Sequence, residues 1–306
     1  MDWWQAVILG FMQGITEFLP VSSSGHLILV RDLIGVNDGS YLLFDVLLHV
    51  ATLFSIAVAL YKDILKLFRP PFKILGFIVL ASIPAMITGF LLKPLIETAF
   101  DGPKYLCFFF LATAILMFGA ELIGKRMSIR AFFVQAAASI RKRFLKKNSG
   151  LESQKETNEV LSAANAAEDN INEEPPLTDL KLKNVVGMGL MQAAAIFPGL
   201  SRSGSTLFGG IATGAKRSAA AKFSFFMSVP IILGAAVLSL ADIVFPKDSV
   251  STVMFEWHYI LAMITAFVVG FFAIKLMLRL IAKADYKWFS LYLLVLSLIT
   301  FFRYFL

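Results

Sequence analysis

The chain contains a single cysteine, Cys107, among its 306 residues. One cysteine excludes an intrachain disulfide, and no partner spacing for a metal site surrounds it. Charged residues are also scarce, at 16% of the chain, against roughly a quarter in an average soluble domain. Hydrophobic residues make up 58%, and phenylalanine alone supplies 30 residues. This balance excludes an ordinary soluble protein and predicts an integral membrane protein.

The N-terminus lacks the features of a cleaved signal peptide. Its first ten residues, MDWWQAVILG, contain no basic region and no small-residue cleavage site, so we expect them in the mature fold. The formal net charge is +7. In a membrane protein the placement of Lys and Arg matters more than their sum. We therefore expect lipid, and not nucleic acid, as the partner.

Six stretches are long and apolar enough to cross a bilayer, which takes about 20 apolar residues. They cover residues 41–61, 74–92, 105–123, 219–241, 259–280 and 288–305. Two more apolar regions, 1–35 and 183–212, are interrupted by Pro, Ser and Gly. Irregular backbone is tolerated at membrane depth only where protein buries it, so these regions predict re-entrant hairpins. The predicted fold is all-α, with six transmembrane helices and two re-entrant hairpins.

The two interrupted regions share a polar motif. Residues 13–25 read QGITEFLPVSSSG and residues 192–204 read QAAAIFPGLSRSG. Three spans separate the copies, so the second copy enters the membrane from the opposite face. We therefore predict an inverted-topology repeat whose polar loops meet near the midplane. Its halves are residues 1–127 and 183–306.

Lys and Arg residues collect on one face of this topology. By the positive-inside rule that face is cytoplasmic, which places both termini outside. Residues 128–147 are basic and amphipathic, as expected for a helix lying on the cytoplasmic leaflet. Residues 148–179 are acidic and predict a partly disordered linker. The cytoplasmic insertion between the repeats therefore spans residues 128–182.

Three charged residues lie at membrane depth, where an ionisable side chain is costly and indicates function. Glu17 could bind a divalent cation, act as a general base or form an ion pair with Arg202. The planar guanidinium of Arg202 matches phosphate. Asp45 could add a carboxylate to the same site or pair locally with His49. The motif therefore predicts an anion-binding site.

The serine-rich turns supply the other candidates. Ser23 aligns with Arg202 and is a candidate nucleophile, while His26 could donate a proton, act as a relay for Ser23 or be an interior histidine. Ser22 and Ser24 could be helix caps or nucleophiles. Hydroxyls and amides at a helix N-terminus form a phosphate cradle. The predicted substrate-binding residues are Gln13, Ser22, Ser24, Gly25, Ser201, Ser203, Gly204 and Thr206.

The segments ILGFMQGITEFLPVSSSGHL, FPGLSRSGST and AAAKFSFFMSVP resemble those of the undecaprenyl pyrophosphate phosphatases, the bacitracin-resistance proteins of bacterial inner membranes. The resemblance covers nearly the whole chain outside the insertion. It implies a membrane hydrolase that removes the terminal phosphate of undecaprenyl pyrophosphate and so recycles this carrier for peptidoglycan synthesis. It also implies a divalent cation, Mg²⁺ or Ca²⁺, and a site reached from the outer side. We further expect a homodimer.

The sequence departs from this family at Gln13, where several relatives carry Glu. A metal site would then have one carboxylate fewer unless Asp45 contributes. We therefore expect Glu17 as a metal ligand, with Gln13 and Asp45 as further candidates.

Two mechanisms and one other function remain open. Ser23, assisted by His26, could form a phosphoseryl intermediate, or Glu17 or the metal could activate water directly. Alternatively, an inverted-repeat transporter or lipid-carrier flippase would use Glu17 to couple protons and break no bond. The transporter reading gives no reason for His26 beside Ser23.

Overall fold

A computed structural model describes residues 1–36, 42–92, 95, 103–148, 177–244, 256–281 and 285–306. All regular structure in these ranges is helical. The helices are α1 (Trp3–Thr16), α2 (Ser23–Leu33), α3 (Leu42–Ala59), α4 (Tyr61–Leu67), α5 (Lys73–Leu91), α6 (Leu106–Asn148), α7 (Leu182–Ala194), α8 (Arg202–Ala212), α9 (Arg217–Val244), α10 (His258–Ile281) and α11 (Lys287–Phe305). Short 3-10 turns cover Pro103–Tyr105 and Leu177–Asp179.

Five helices of the described chain are long and apolar enough to span a membrane, namely α5, α6, α9, α10 and α11. They coincide with five of the six predicted spans. The sixth, predicted over residues 41–61, breaks at Leu60, where α3 and α4 meet at 84°. The two helices are long and apolar enough to span a membrane only when they are counted together. The number of candidate spans is therefore five, or six if the bent pair counts as one.

The outer surfaces of these helices are apolar. Phe90 is 82% exposed, and Ile115, Val237 and Phe272 are each more than 60% exposed. Exposed apolar surface on this scale marks an interaction with lipid or another apolar partner. The chain is a multi-pass membrane protein.

The helix expected over residues 128–147 is present, but it is not a separate element. α6 runs from Leu106 to Asn148 without a break, so the basic segment continues the transmembrane helix. Its placement on the cytoplasmic leaflet stays a prediction. The acidic linker falls largely on residues 149–176, outside the described residues.

The two interrupted regions are helix pairs separated by turns, α1 with α2 and α7 with α8. Each first helix ends four residues before a proline. Proline has no N–H, so Pro20 cannot donate to the carbonyl of Thr16, and Pro198 cannot donate to that of Ala194. These are the last residues of α1 and α7. The proline positions therefore set the helix ends.

Each of these first helices packs closely along a helix of the other half. α1 runs parallel to α10, with Gly10 against Ala262 and Gly14 against Ala266. α7 contacts α5 in the same way, with Gly189 against Ala81. A Cβ atom on Gly189 would lie 2.8 Å from the carbonyl oxygen of Ala81. Glycine is required at this contact because the two backbones touch.

A side-chain amide closes the open end of each helix pair. Nε2 of Gln5 donates to the carbonyl of Ile34 at 3.0 Å, and Nδ2 of Asn184 donates to that of Thr213, also at 3.0 Å. Each amide oxygen accepts from the backbone N–H three residues earlier, at 2.6 and 2.9 Å. The sequence offset between the two bonds is that of the polar motif. The duplicated geometry thus extends beyond the thirteen motif residues.

The last helices of the two halves pack against each other in antiparallel fashion. The hydroxyl of Ser297 donates to the carbonyl of Cys107 at 2.7 Å, and that of Ser290 donates to Ala114 at 2.8 Å. Rising numbers on α11 therefore meet falling numbers on α6. The two halves contact each other through these helices. They also contact through the packing of α1 on α10 and of α7 on α5.

We expect Gly189→Ala to destabilise the protein by about 1–3 kcal/mol, because the added methyl group has no space against the Ala81 backbone. The measurement is thermal unfolding in detergent. Gly234→Ala is the matched control, since its Cβ would meet no atom within 4 Å. Equal unfolding temperatures for the two variants would contradict the close helix contact.

Candidate functional site

The turns of the two helix pairs meet in the interior. A Cβ on Gly25, in the first turn of α2, would lie 2.9 Å from the Cα of Gly199 in the second loop. The hydroxyl of Ser203 donates to the carbonyl of Leu19 at 2.8 Å. The N-termini of α2 and α8 therefore lie beside each other, although almost 180 residues separate them in the sequence.

Glu17 lies at the centre of this junction. Its Oε1 forms an ion pair with the guanidinium of Arg202. Its Oε2 accepts from the hydroxyl of Ser23 at 2.6 Å and from Nε2 of Gln13 at 3.0 Å. The Glu17 side chain is 2% exposed and that of Arg202 is 20% exposed. Of the three roles open for Glu17, the ion pair with Arg202 is the one that the structure contains.

The first serine of each motif, Ser22 or Ser201, caps the helix that follows it. The hydroxyl oxygen of Ser22 accepts from the N–H of Gly25 at 3.3 Å, and that of Ser201 accepts from Gly204 at 3.0 Å. The N–H groups of Gly25 and Gly204 are therefore used in capping in this structure, and their role in binding substrate stays a prediction. The first two amides of each helix, which have no intrahelical acceptor, remain at the helix N-terminus.

His26 does not contact the hydroxyl of Ser23. Its Nδ1 lies 2.6 Å from the carbonyl of Ser22, which can only accept, so Nδ1 carries hydrogen. Its Nε2 lies 2.7 Å from the hydroxyl of Tyr292 on α11. The expected Ser23–His26 relay is therefore absent, since both ring nitrogens have other partners. Instead, Ser23 donates to Glu17.

Asp45 is not part of the Glu17 cluster. Its carboxylate forms a two-pronged ion pair with Arg31 on α2, with one Nη1–Oδ2 distance of 3.0 Å. Its backbone carbonyl accepts from Nδ1 of His49 at 2.7 Å. The carboxylate of Asp45 thus faces Arg31 and lies apart from the Glu17 cluster, and its role as a metal ligand stays a prediction. Asp45 does pair with His49, but through its backbone carbonyl and not through its carboxylate.

The remaining motif residues lie in or against the first turns of α2 and α8. The hydroxyl of Thr206 donates to the carbonyl of Arg202 at 2.9 Å and lies 2.6 Å from the hydroxyl of Ser224. Thr206 is fully buried and therefore holds the first turn of α8 in place. Ser24 and Ser203 are half-buried, and the hydroxyl of Ser203 reaches across the junction to the carbonyl of Leu19.

One buried oxygen atom of this cluster suits a hard cation. Oε1 of Gln13 is a buried amide oxygen without a hydrogen-bond partner in the described chain, and it belongs to the side chain that already contacts Glu17. Mg²⁺ and Ca²⁺ prefer such oxygens. Among the described residues no group of three or more His, Cys, Asp or Glu side chains is arranged for a metal. Glu17 and Gln13 are the donors that fit.

Two residues of the site were not among the sequence candidates. Nε2 of His49 lies 3.7 Å from Oε2 of Glu17. The hydroxyl of Tyr292 lies 2.7 Å from Nε2 of His26. His49 could have been found, because the chain has only three histidines and His49 lies one helical turn after Asp45. Tyr292 carries no local signal, since 266 residues separate it from His26.

Comparison with known proteins gives a match over nearly the whole chain. Residues 6–299 match the family described as "Bacitracin resistance protein BacA". The chain is 30% identical over 323 residues to the "Undecaprenyl-diphosphatase" of Methanosphaera stadtmanae, covering 98% of this chain and 97% of that protein. The protein of the same name from Methanobrevibacter smithii is 32% identical, with coverages of 98% and 97%. That from Caldicellulosiruptor bescii is 34% identical, with coverages of 95% and 94%.

The match includes both polar motifs and all helices from α2 to α10. Relatives at or above 30% identity span the two halves and the site between them. The chain belongs to the bacitracin resistance protein BacA family.

Proposed function

We propose that the chain is an undecaprenyl-diphosphatase, which hydrolyses undecaprenyl pyrophosphate to undecaprenyl phosphate and inorganic phosphate. The observation that carries the proposal is the guanidinium of Arg202, held at the N-terminus of α8 opposite the N-terminus of α2. Two helix N-termini and a planar cation form a site for a multiply charged anion. The names of the relatives favour hydrolysis over transport of the same lipid.

The membrane arrangement proposed with it is an inverted-topology repeat in the bacterial inner membrane. The first repeat covers residues 1–127, the insertion 128–182 and the second repeat 183–306. Support comes from the exchanged packing of α1 on α10 and α7 on α5, and from the duplicated amide bonds. In such a repeat the pair α1–α2 and the pair α7–α8 are re-entrant hairpins that enter from opposite faces. A homodimer stays a prediction.

Charge placement orients this arrangement. The start of α9 lies beside α6 at the level of Glu121, because Arg217 is 3.2 Å from Glu121. Lys and Arg residues cluster at this end, among them Lys125, Lys216, Lys222 and Lys287. By the positive-inside rule it faces the cytoplasm. The opposite end, where Arg303 contacts Asp32 at 2.8 Å, carries both termini and faces outward.

Binding would draw the terminal phosphate onto Arg202. The guanidinium can exchange its contact with Glu17 for a phosphoryl oxygen, which offers the same planar pairing. The free amides at the starts of α2 and α8 would then stabilise charge as it gathers on the phosphate. A bound divalent cation, held by Glu17 and Gln13, would supply further charge neutralisation.

The hydrogen bond from Ser23 to Glu17 favours a serine nucleophile over direct attack by water. Glu17 accepts the serine proton while the Ser23 oxygen bonds to the terminal phosphorus. The bond between that phosphorus and the bridging oxygen breaks, and undecaprenyl phosphate leaves with the electron pair. Glu17 passes the proton to the departing undecaprenyl phosphate. Water then attacks the phosphorus of the phosphoserine and gives one proton to Glu17, and the bond between phosphorus and Oγ of Ser23 breaks. Glu17 returns that proton to Oγ as inorganic phosphate leaves. His26 takes no part in these steps and fixes α2 against α11 through Tyr292.

We expect the purified protein to release phosphate from a long-chain prenyl pyrophosphate, and Arg202→Ala to lower the rate by about 100-fold or more, because a preorganised charge contact is lost. A chelator should abolish release, and added Mg²⁺ or Ca²⁺ should restore it. Arg303→Ala is the matched control, since its partner Asp32 lies at the outer surface. Phosphate release that persists in Arg202→Ala would place the site elsewhere.

A second prediction concerns the covalent step. Acid quenching during turnover of a substrate labelled on its terminal phosphate should trap label on wild-type protein and none on Ser23→Ala. Ser24→Ala is the control, because it changes the neighbouring hydroxyl and leaves the Ser23–Glu17 bond. Turnover without any trapped label would favour water activated by Glu17.

The topology predicts opposite accessibility for two equivalent positions. In a Cys107→Ser background, we expect Trp4→Cys to react with a membrane-impermeant maleimide in intact bacterial cells. Lys183→Cys, at the same position of α7, should react only after permeabilisation, because α1 and α7 begin on opposite faces. Labelling of both positions from one side would rule out the inverted repeat.

A further inference from the structure

His49 is more exposed than the charged pair beside it. Its side chain is 31% exposed, whereas those of Glu17 and Arg202 are 2% and 20% exposed. His26, in contrast, is 2% exposed and has partners on both ring nitrogens. The imidazole of His49 is therefore more accessible to a ligand than either Glu17 or Arg202.

The orientation of the His49 ring is fixed from the far side. Nδ1 donates to the carbonyl of Asp45 at 2.7 Å, and the carboxylate of Asp45 is held by Arg31 on α2. Nε2 consequently points towards the Glu17–Arg202 pair, and α3 is tied to α2 at the level of the site.

Glu17 does not need His49 as a hydrogen-bond partner. Its oxygens already contact Arg202, Ser23 and Gln13. The 3.7 Å between Nε2 of His49 and Oε2 of Glu17 is also longer than a hydrogen bond. Nε2 of His49 thus faces the cluster but makes no hydrogen bond to Glu17.

We propose that Nε2 of His49 contacts the terminal phosphoryl group of the substrate. The inference rests on the proposed phosphatase function and adds a substrate-binding residue to it. The contact itself, and not a change of charge on the ring, is what it assigns. A protonated phosphoryl oxygen donates to Nε2, and an unprotonated one accepts from the protonated ring.

Glutamine and leucine distinguish this contact from a packing role. The amide of glutamine offers both a donor and an acceptor near the position of Nε2, whereas leucine fills similar space and offers neither. His49→Leu should raise the KM for a long-chain prenyl pyrophosphate by about 10- to 100-fold, the loss of one hydrogen bond to a charged group. His49→Gln should raise it less than about fivefold, on the same reasoning.

The experiment uses full-length protein in detergent and two measurements. The first is KM and kcat for phosphate release. The second is the rise in unfolding temperature that inorganic pyrophosphate produces, which we expect in wild type and His49→Gln and expect to be lost in His49→Leu. His258→Leu is the matched control, because His258 lies beside Glu256 at the start of α10, away from the site.

The outcomes separate this inference from the proposed function. If wild type releases phosphate and His49→Leu matches His258→Leu in both measurements, the contact is overturned and the function stands. Equal losses in His49→Leu and His49→Gln would also overturn it. If wild type releases no phosphate but pyrophosphate stabilises it and not His49→Leu, the phosphatase function is overturned and the anion contact stands.

Discussion

The ion pair between Glu17 and Arg202 is the constraint on which the arrangement depends. Both residues come from apolar surroundings, and leaving one of them alone in the interior would cost about 3–5 kcal/mol. The partners are 185 residues apart, so the pair forms only when both helix breaks face each other. That requirement brings the N-termini of α2 and α8 together.

The scaffold meets this requirement with duplicated local contacts. A proline ends each first helix, a serine caps each second helix, and a side-chain amide closes each pair at its open end. Glycine at the contacts with Ala262 and Ala81 lets α1 and α7 lie directly on helices of the other half. In lipid there is little hydrophobic force between helices, so close packing and internal hydrogen bonds stabilise the structure.

The two copies share a frame but differ in chemistry. Ser23 and Arg202 hold the same first position of their helices, and the position of Glu17 is Ile196 in the second copy. His49 likewise corresponds to Ser228, whose hydroxyl donates to a backbone carbonyl of its own helix. The candidate nucleophile, the candidate base and His49 therefore all belong to the first half. The second half contributes the cation and the support around it.

The amino-acid sequence by itself determined the membrane class, the two helix breaks, the duplicated motif and the importance of Glu17 and Arg202. Each follows from a local cost: apolar side chains in water, a proline without an N–H, or a charge in lipid. The structure alone decided the partners of these groups. Ser23 contacts Glu17 and not His26, His26 contacts Tyr292, Asp45 turns to Arg31, and α6 continues through the basic segment. Spacing along one helix shows which side chains share a face, but contacts between helices depend on how the whole chain packs.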